Sequence, residues 1–201
     1  MALSLLLVAG GLMPAGARAE GAAGDAGRGA KLVYTCYGCH GIPDYRNAYP
    51  NYRVPRLGGQ HENYLVAALA EYRAGTRSHP TMKGQASSLG EQDARDIAAF
   101  LATQQPPAGG KPAGALPDAA KACTACHGAD GIGVTPDYPT LAGQYADYLE
   151  QALRAYKKGT RQNPIMGGFA ATLNDEDVAA VARYFAAQQP GLSVPRPPAK
   201  P

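Results

Sequence analysis

The sequence predicts an all-α chain built as two tandem helical domains related by pseudo-twofold symmetry. Three observations carry that expectation: an internal duplication, apolar residues at helical spacing in each copy, and a Pro/Gly-rich seam between the copies. From Pro55 onward the 201-residue chain repeats itself at a constant shift of 84 positions. Pro55-Arg-Leu57-Gly-Gly59-Gln60 matches Pro139-Thr-Leu141-Ala-Gly143-Gln144, and Tyr72, Gly75, Thr76 and Arg77 match Tyr156, Gly159, Thr160 and Arg161. The register runs on through Pro80 and Met82 against Pro164 and Met166, and ends with Gln104-Gln105-Pro106 against Gln188-Gln189-Pro190. Sustained identity at a fixed offset means two copies of one domain, and near copies pack most simply face to face about a pseudo-twofold axis.

Each copy reads as three helices. The first begins near Asp25 in one copy and near Asp118 in the other. The second runs from about Glu62 to Arg73, with Tyr64, Leu65, Ala68, Leu69 and Tyr72 on one face and Gly75 as its stop, and its partner from about Ala146 to Lys157. The third runs from about Glu91 to Thr103, and its partner from about Asp175 to Gln188. There Asn174 is a good N-cap, and three acidic residues favour the positive end of the helix. No strand pattern stands out. The short segments around Met82 and Met166, each opened by a proline, are expected to be non-helical loops.

Residues 1–19 resemble a secretory signal peptide: an apolar run, Leu3 to Ala9, then small residues ending in Ala17-Arg18-Ala19, too short to span a bilayer comfortably. No Lys or Arg precedes the run, so the basic start of such a signal is missing. The expected organisation is then an N-terminal domain at 20–105, a Pro/Gly-rich linker at 106–116, a C-terminal domain at 117–190 and a flexible tail at 191–201. Without Arg18 the chain carries 18 basic against 16 acidic side chains, which gives no sign of nucleic-acid binding. It has no Trp and only three Phe against twelve Tyr, so large apolar volume for two cores is scarce.

Two motifs account for that shortage. Cys36-Tyr-Gly-Cys39-His40 and Cys123-Thr-Ala-Cys126-His127 each place two thiols one helical turn apart, with a histidine beside them. That is the pattern for covalent attachment of a c-type haem, the thiols adding to its vinyl groups and the histidine reaching iron. A zinc ribbon would hold its Cys pairs closer in sequence, a thioredoxin-like pair would need a βαβ setting, and a disulfide framework gives no reason for either histidine. Two covalently bound haem c groups would supply the missing apolar mass.

Outside the signal segment two methionines remain, Met82 and Met166, at equivalent repeat positions. Met/His is a standard haem ligation, so the expected iron ligands are His40 with Met82 and His127 with Met166. His61 and His79 are the rival ligands, but their repeat equivalents are Tyr145 and Asn163, and both are read as surface histidines. Pro55 and Pro139 are expected to accept a hydrogen bond from the ligand histidines through their carbonyls.

The paired haem motifs, the Pro-x-Leu-x-Gly-Gln segments, the Tyr-x-x-Gly-Thr-Arg stretches and the Asn163-Pro-Ile-Met166 segment together resemble the cytochrome c4 family, over about Ala26 to Gln189. The resemblance implies cytochrome c-like domains and a periplasmic, monomeric electron carrier, soluble or loosely membrane-associated. It also implies redox partner proteins: a quinol-oxidising cytochrome bc complex as donor and a terminal oxidase or reductase as acceptor. With both axial positions of each iron filled, no substrate site is open. Alternatives are the cytochrome subunit of a flavocytochrome or quinoprotein dehydrogenase, a dihaem peroxidase or a haem-based sensor. The first domain departs from the family in a long Tyr- and Arg-rich loop, Ile42 to Arg56. Between Arg28 and Arg77 it holds seven basic against three acidic residues, where the matching stretch of the second domain balances. Arg46, Arg53 and Arg56 are therefore expected to meet an acidic partner, or to pair with haem propionates.

Overall fold

A computed structural model of the chain describes residues 23–104 and 112–197; the signal segment and the first part of the linker lie outside them. The described residues form nine α-helices and two 3₁₀ turns, and extended pairing among them is limited to three isolated bridges. In the first domain these are α1 (Ala26–Leu32), a 3₁₀ turn (Val33–Cys36), α2 (Tyr37–His40), α3 (Glu62–Ala74), α4 (Pro80–Ser87) and α5 (Glu91–Ala102). The second has a 3₁₀ turn (Asp118–Cys123), α6 (Thr124–His127), α7 (Ala146–Lys157), α8 (Pro164–Thr172) and α9 (Asp175–Ala187). The second and third helices of each copy fall where the sequence puts them, within a residue or so.

The first helix differs between the copies. Asp25 caps α1, its carboxylate accepting from the N–H groups of Gly27 and Arg28. Arg28 in turn pairs with Asp93 and Asp96 of α5. Asp96, almost fully buried, also accepts from the Asp25 N–H at 2.8 Å and from Gln92 at 2.7 Å. Those donors, the Asp25 N–H foremost, hold its carboxyl below the usual range. No counterpart of Arg28 exists in the second copy, and there the segment before the haem motif is only a 3₁₀ turn.

Where α1 crosses α5, a Cβ on Gly29 would lie 1.9 Å from the Asp96 carbonyl oxygen. Gly29→Ala is therefore expected to force the helices apart at a cost of about 3 kcal/mol, the upper end of ordinary overpacking, because the obstacle is backbone. Denaturant unfolding measures it; a loss below about 1 kcal/mol would show that the crossing yields.

Each domain has its own small apolar cluster. Val33, Leu65, Ile97, Phe100 and Leu101 form the first; Leu149, Leu153, Val178, Val181 and Phe185 are the centre of the second.

The two domains meet in reciprocal pairs, the signature of an isologous contact. Gln60 donates to the Thr140 carbonyl and accepts from the Thr140 N–H, both at 2.9 Å; Gln144 does the same to Arg56, again at 2.9 Å. Ser78 N–H donates to Thr160 O and Gln162 N–H to Thr76 O, each at 2.8 Å. In every case the partners exchange places under the 84-residue shift, so pseudo-twofold symmetry is written in the bonds themselves.

The long first-domain loop breaks this symmetry, and here one expectation is corrected. Its arginines are turned onto the second domain. Arg53 and Arg46 pair with Asp147 at 3.1 and 3.2 Å, and Arg53 also reaches Asp44. Arg53 and Arg56 stack on the Tyr145 ring, 4.4 and 4.2 Å from its centroid, and Arg56 donates to the Gly143 carbonyl. Arg53 and Arg56 are engaged within the chain, by a carboxylate and a π-face in the other half of the sequence, while Arg46 keeps nearly half of its side chain exposed beside Asp147.

The expected loose tail is also corrected for residues 191–197. Ser193 bridges to Gly58, and Leu192 and Pro195 are buried. Gln104 holds the Arg196 backbone by its N–H and C=O at 2.8 and 3.0 Å. Gln188, the repeat equivalent of Gln104, holds Ala113 in the same two-point manner. The final segment thus straps the first domain as the linker end straps the second. Among the described residues no helix is long and apolar enough to cross a membrane.

Candidate haem sites

The two Cys-x-x-Cys-His motifs form the short helices α2 and α6 together with the turns that lead into them. None of the four cysteines is in a disulfide. Burial pushes the Cys36 and Cys123 thiols up, and among the described residues no group of three or more His, Cys, Asp or Glu converges as a metal site would require.

Both histidines are fixed from behind. His40 Nδ1 lies 2.8 Å from the Pro55 carbonyl, and His127 Nδ1 lies 2.9 Å from that of Pro139. A carbonyl can only accept, so each Nδ1 carries the proton and Nε2 is left with its lone pair, the form a metal-binding imidazole needs. Burial pushes both imidazoles below their ordinary value and so favours the neutral ring. The expectation for Pro55 and Pro139 is met.

Met82 and Met166 sit on helices α4 and α8, not in loops, which corrects the sequence reading. Proline is well suited to the first turn of a helix, where its missing N–H costs nothing. The cap completes the signal: His79 Nδ1 accepts from the Met82 N–H at 3.2 Å, and Asn163 Oδ1 accepts from the Met166 N–H at 3.0 Å. This explains why the repeat exchanges His for Asn at that position. Both residues do one job, and His79 is half-buried, its Nε2 3.3 Å from Asn47 Oδ1. His61 is no surface residue either; its Nε2 is buried without a partner and lies where a Cβ on Gly133, across the domain boundary, would be 3.3 Å away.

A continuous cavity of about 810 Å³ runs through both halves, bordered by Cys36, His40 and Met82 in one and by Cys123, His127 and Met166 in the other. Leu65, Ile97 and Leu101 wall the first half; Leu149, Val181 and Phe185 wall the second. Apolar walls, a fixed imidazole, two thiols and a thioether on the border suit a covalently held haem in each half.

Between the halves lies a polar cluster whose role the sequence did not disclose. Arg77 and Arg161, only 6% and 7% exposed, border the same cavity. Arg77 donates to Tyr148 OH at 2.7 Å and Arg161 to Tyr64 OH at 2.8 Å, each crossing to the opposite domain. Burial raises the Tyr64 phenol, but the charges of Arg161 and Arg77 and their hydrogen bonds outweigh it and bring it down to about 8. The available signal was the Gly-Thr-Arg retained in both copies; it marks a position but does not say that the side chain is buried.

Two domains, each with thiols, an anchored imidazole and a thioether on one cavity, define a two-haem c-type cytochrome. A family model described as Cytochrome c matches residues 26–105 and again 118–188. Cytochrome c4 of Azotobacter vinelandii is 36% identical over 190 residues, covering 82% of this chain and 89% of that protein. A protein of Stutzerimonas stutzeri named thiosulfate dehydrogenase electron acceptor is 36% identical over 169 residues, covering 75% and 77%. The crystal structure of reduced recombinant cytochrome c4 from Pseudomonas stutzeri superposes with a TM-score of 0.66 at 32% identity, covering 83% of this chain and all of that one. The chain belongs to the cytochrome c4 family, and it binds two covalent haem c groups.

Proposed function

We propose that the chain is a periplasmic electron carrier between a quinol-oxidising cytochrome bc complex and a terminal oxidase or reductase. In this reading Cys36 and Cys39 attach one haem and Cys123 and Cys126 the other. His40 with Met82, and His127 with Met166, are the iron ligands. Each haem supplies a one-electron iron couple, and Met/His ligation raises its potential. The observation that supports the assignment best is the matched pair of methionines, each at the third residue of a proline-opened helix and each on the border of the cavity that the two histidines also line. If His40 with Met82 and His127 with Met166 hold the two irons, those ligand sets would leave no coordination position for peroxide or another substrate. The chain's residues therefore serve to hold two redox centres and exclude water, and catalysis is not among their tasks.

The test is to mix the holoprotein with membranes that contain the bc complex, and separately with oxidase-containing membranes. Quinol-dependent reduction that a bc inhibitor abolishes, followed by oxidation on the second membranes, is expected. Failure of both steps would remove the respiratory reading. A second reading, acceptor for a dehydrogenase of a reduced sulfur compound, draws on the Stutzerimonas relative. Thiosulfate-dependent reduction in the presence of a purified thiosulfate dehydrogenase distinguishes it.

A further inference from the structure

Each half of the cavity has exposed border residues at the same repeat positions. In the second domain these include Ala122, just before the haem motif, and Ile165, Phe169 and Thr172 of α8. Their equivalents in the first domain are Thr35, the α4 residues Thr81 and Gln85, and Ser88 at the end of α4, all likewise exposed on the border. The positions are shared, but the chemistry is not. The first rim is hydroxyl and amide throughout, whereas the second is apolar apart from Thr172. Ile165 and Phe169 stand four residues apart on one face of α8 and are 60% and 44% exposed, while Met166 packs on the core cluster and Ala170 is buried. Two large apolar side chains on one helix face, at the edge of a cofactor cavity, mark a contact surface.

Three observations say what fits this face. It is small, a few side chains against the roughly 20–30 residues a side of a stable interface, so it suits a brief encounter and not a permanent dimer. It carries no charge of its own: Lys83 of α4 has Gly167 as its counterpart on α8, and the cations beside α8 are engaged. Lys157 donates to the Leu173 carbonyl, and Arg154 pairs with Glu150 and Asp175 at 3.7 and 3.5 Å. Gly168 is exposed on the same helix, and a Cβ there would meet nothing within 4 Å, so bare backbone lets a partner come close.

We propose that the α8 face is the surface through which the second haem exchanges electrons, with a redox protein whose own exchange face is apolar and uncharged. The inference rests on the reading that one haem fills each half of the cavity, and it deepens the carrier role by assigning the apolar contact to one end of the molecule. Electron transfer weakens steeply with distance, so a partner gains by seating where exposed side chains are also cavity walls. An uncharged seat provides little long-range steering, and encounter at this end is accordingly almost independent of salt.

The test uses the holoprotein and variants at two equivalent glycines, Gly168→Glu and Gly168→Lys on α8 and Gly84→Glu and Gly84→Lys on α4. Both are exposed helix positions off the cavity border with open space for a side chain, so all four variants are expected to fold and to keep wild-type potentials. The probe is a gold electrode coated with a methyl-terminated alkanethiol monolayer, compared with a hydroxyl-terminated one, and both the adsorbed amount and the electron-exchange rate are read. The wild type should prefer the methyl surface. Gly168→Glu and Gly168→Lys should each lower both readings about tenfold, as loss of an interface anchor does, and the Gly84 variants should match the wild type. Equal effects at the two glycines, opposite effects of Glu and Lys, or no preference for the methyl surface would overturn the proposal. With the bc-containing and oxidase-containing membranes, at least one step that the wild type performs should slow in both Gly168 variants and change little with ionic strength; unchanged rates in every such step would overturn it as well. A wild type inactive on both membranes that still gives the electrode pattern would strike the respiratory reading and leave the α8 surface standing. Self-association in sedimentation, or binding to phosphatidylcholine vesicles, that Gly168→Glu abolishes while electron exchange stays at the wild-type rate would assign the face to a second copy or to a lipid surface, and likewise overturn the proposal.

Discussion

Replacing Met82 with Ala should remove one of two Met–Fe(III) near-infrared contributions and lower the potential of one haem only, with the other iron untouched. Met166→Ala should do the same to the second haem. Each side chain borders the cavity from its own domain, and each is set by a helix whose N-cap bonds to that methionine's own N–H. The two variants are expected to differ in stability. Met166 packs against the second apolar cluster, whereas Met82 is not among the residues packed on the first. Met166→Ala should therefore cost more, about 2 kcal/mol for a partly buried methionine, the low end for a large-to-small change. Near-infrared absorption with denaturant unfolding measures both effects. A variant that keeps the full wild-type absorption would end the ligand assignment, and equal stability losses would end the packing argument.

The second large effect is expected at the domain contact. Gln60 and Gln144 are almost fully buried, and each makes two bonds to backbone groups of the opposite domain. Truncating both to Ala strands the N–H and C=O groups of Arg56 and Thr140. At about 1 kcal/mol for each of four bonds, the loss is on the order of 4 kcal/mol. Because the contact is isologous, Gln60→Ala and Gln144→Ala alone should cost similar amounts. The Met–Fe bands of the native double variant should not change, since neither glutamine is part of the proposed ligand sets. Chemical unfolding checks the magnitude; a double-variant loss under about 1 kcal/mol would mean that water or other contacts carry the interface.

Much of this protein was legible in one dimension because it is duplicated. The 84-residue shift identified the domains, the helices after Pro55 and the matched methionines without any three-dimensional information. The Cys-x-x-Cys-His motifs and the Pro-x-Leu segments were equally readable, since attachment and histidine orientation are short-range: fifteen residues separate His40 from Pro55. Local rules failed where a local signal had two meanings. Proline before each methionine suggested a loop, yet with His79 or Asn163 as cap it starts a helix.

What the sequence by itself determined is the fold class, the repeat and the haem chemistry, all of which depend on residue type and spacing within one copy. Only the tertiary structure decided where charge goes. Arg46, Arg53 and Arg56 looked like a docking surface because Asp147 and Tyr145 lie about ninety positions away. Arg77 and Arg161 stand in the sequence only as a repeated Gly-Thr-Arg, and the fold buries both where each crosses to a tyrosine of the other domain. Composition records how many charges a chain has, but whether a charge is solvated, paired or stranded depends on contacts between segments far apart in sequence. Those contacts form here only when the second copy closes on the first.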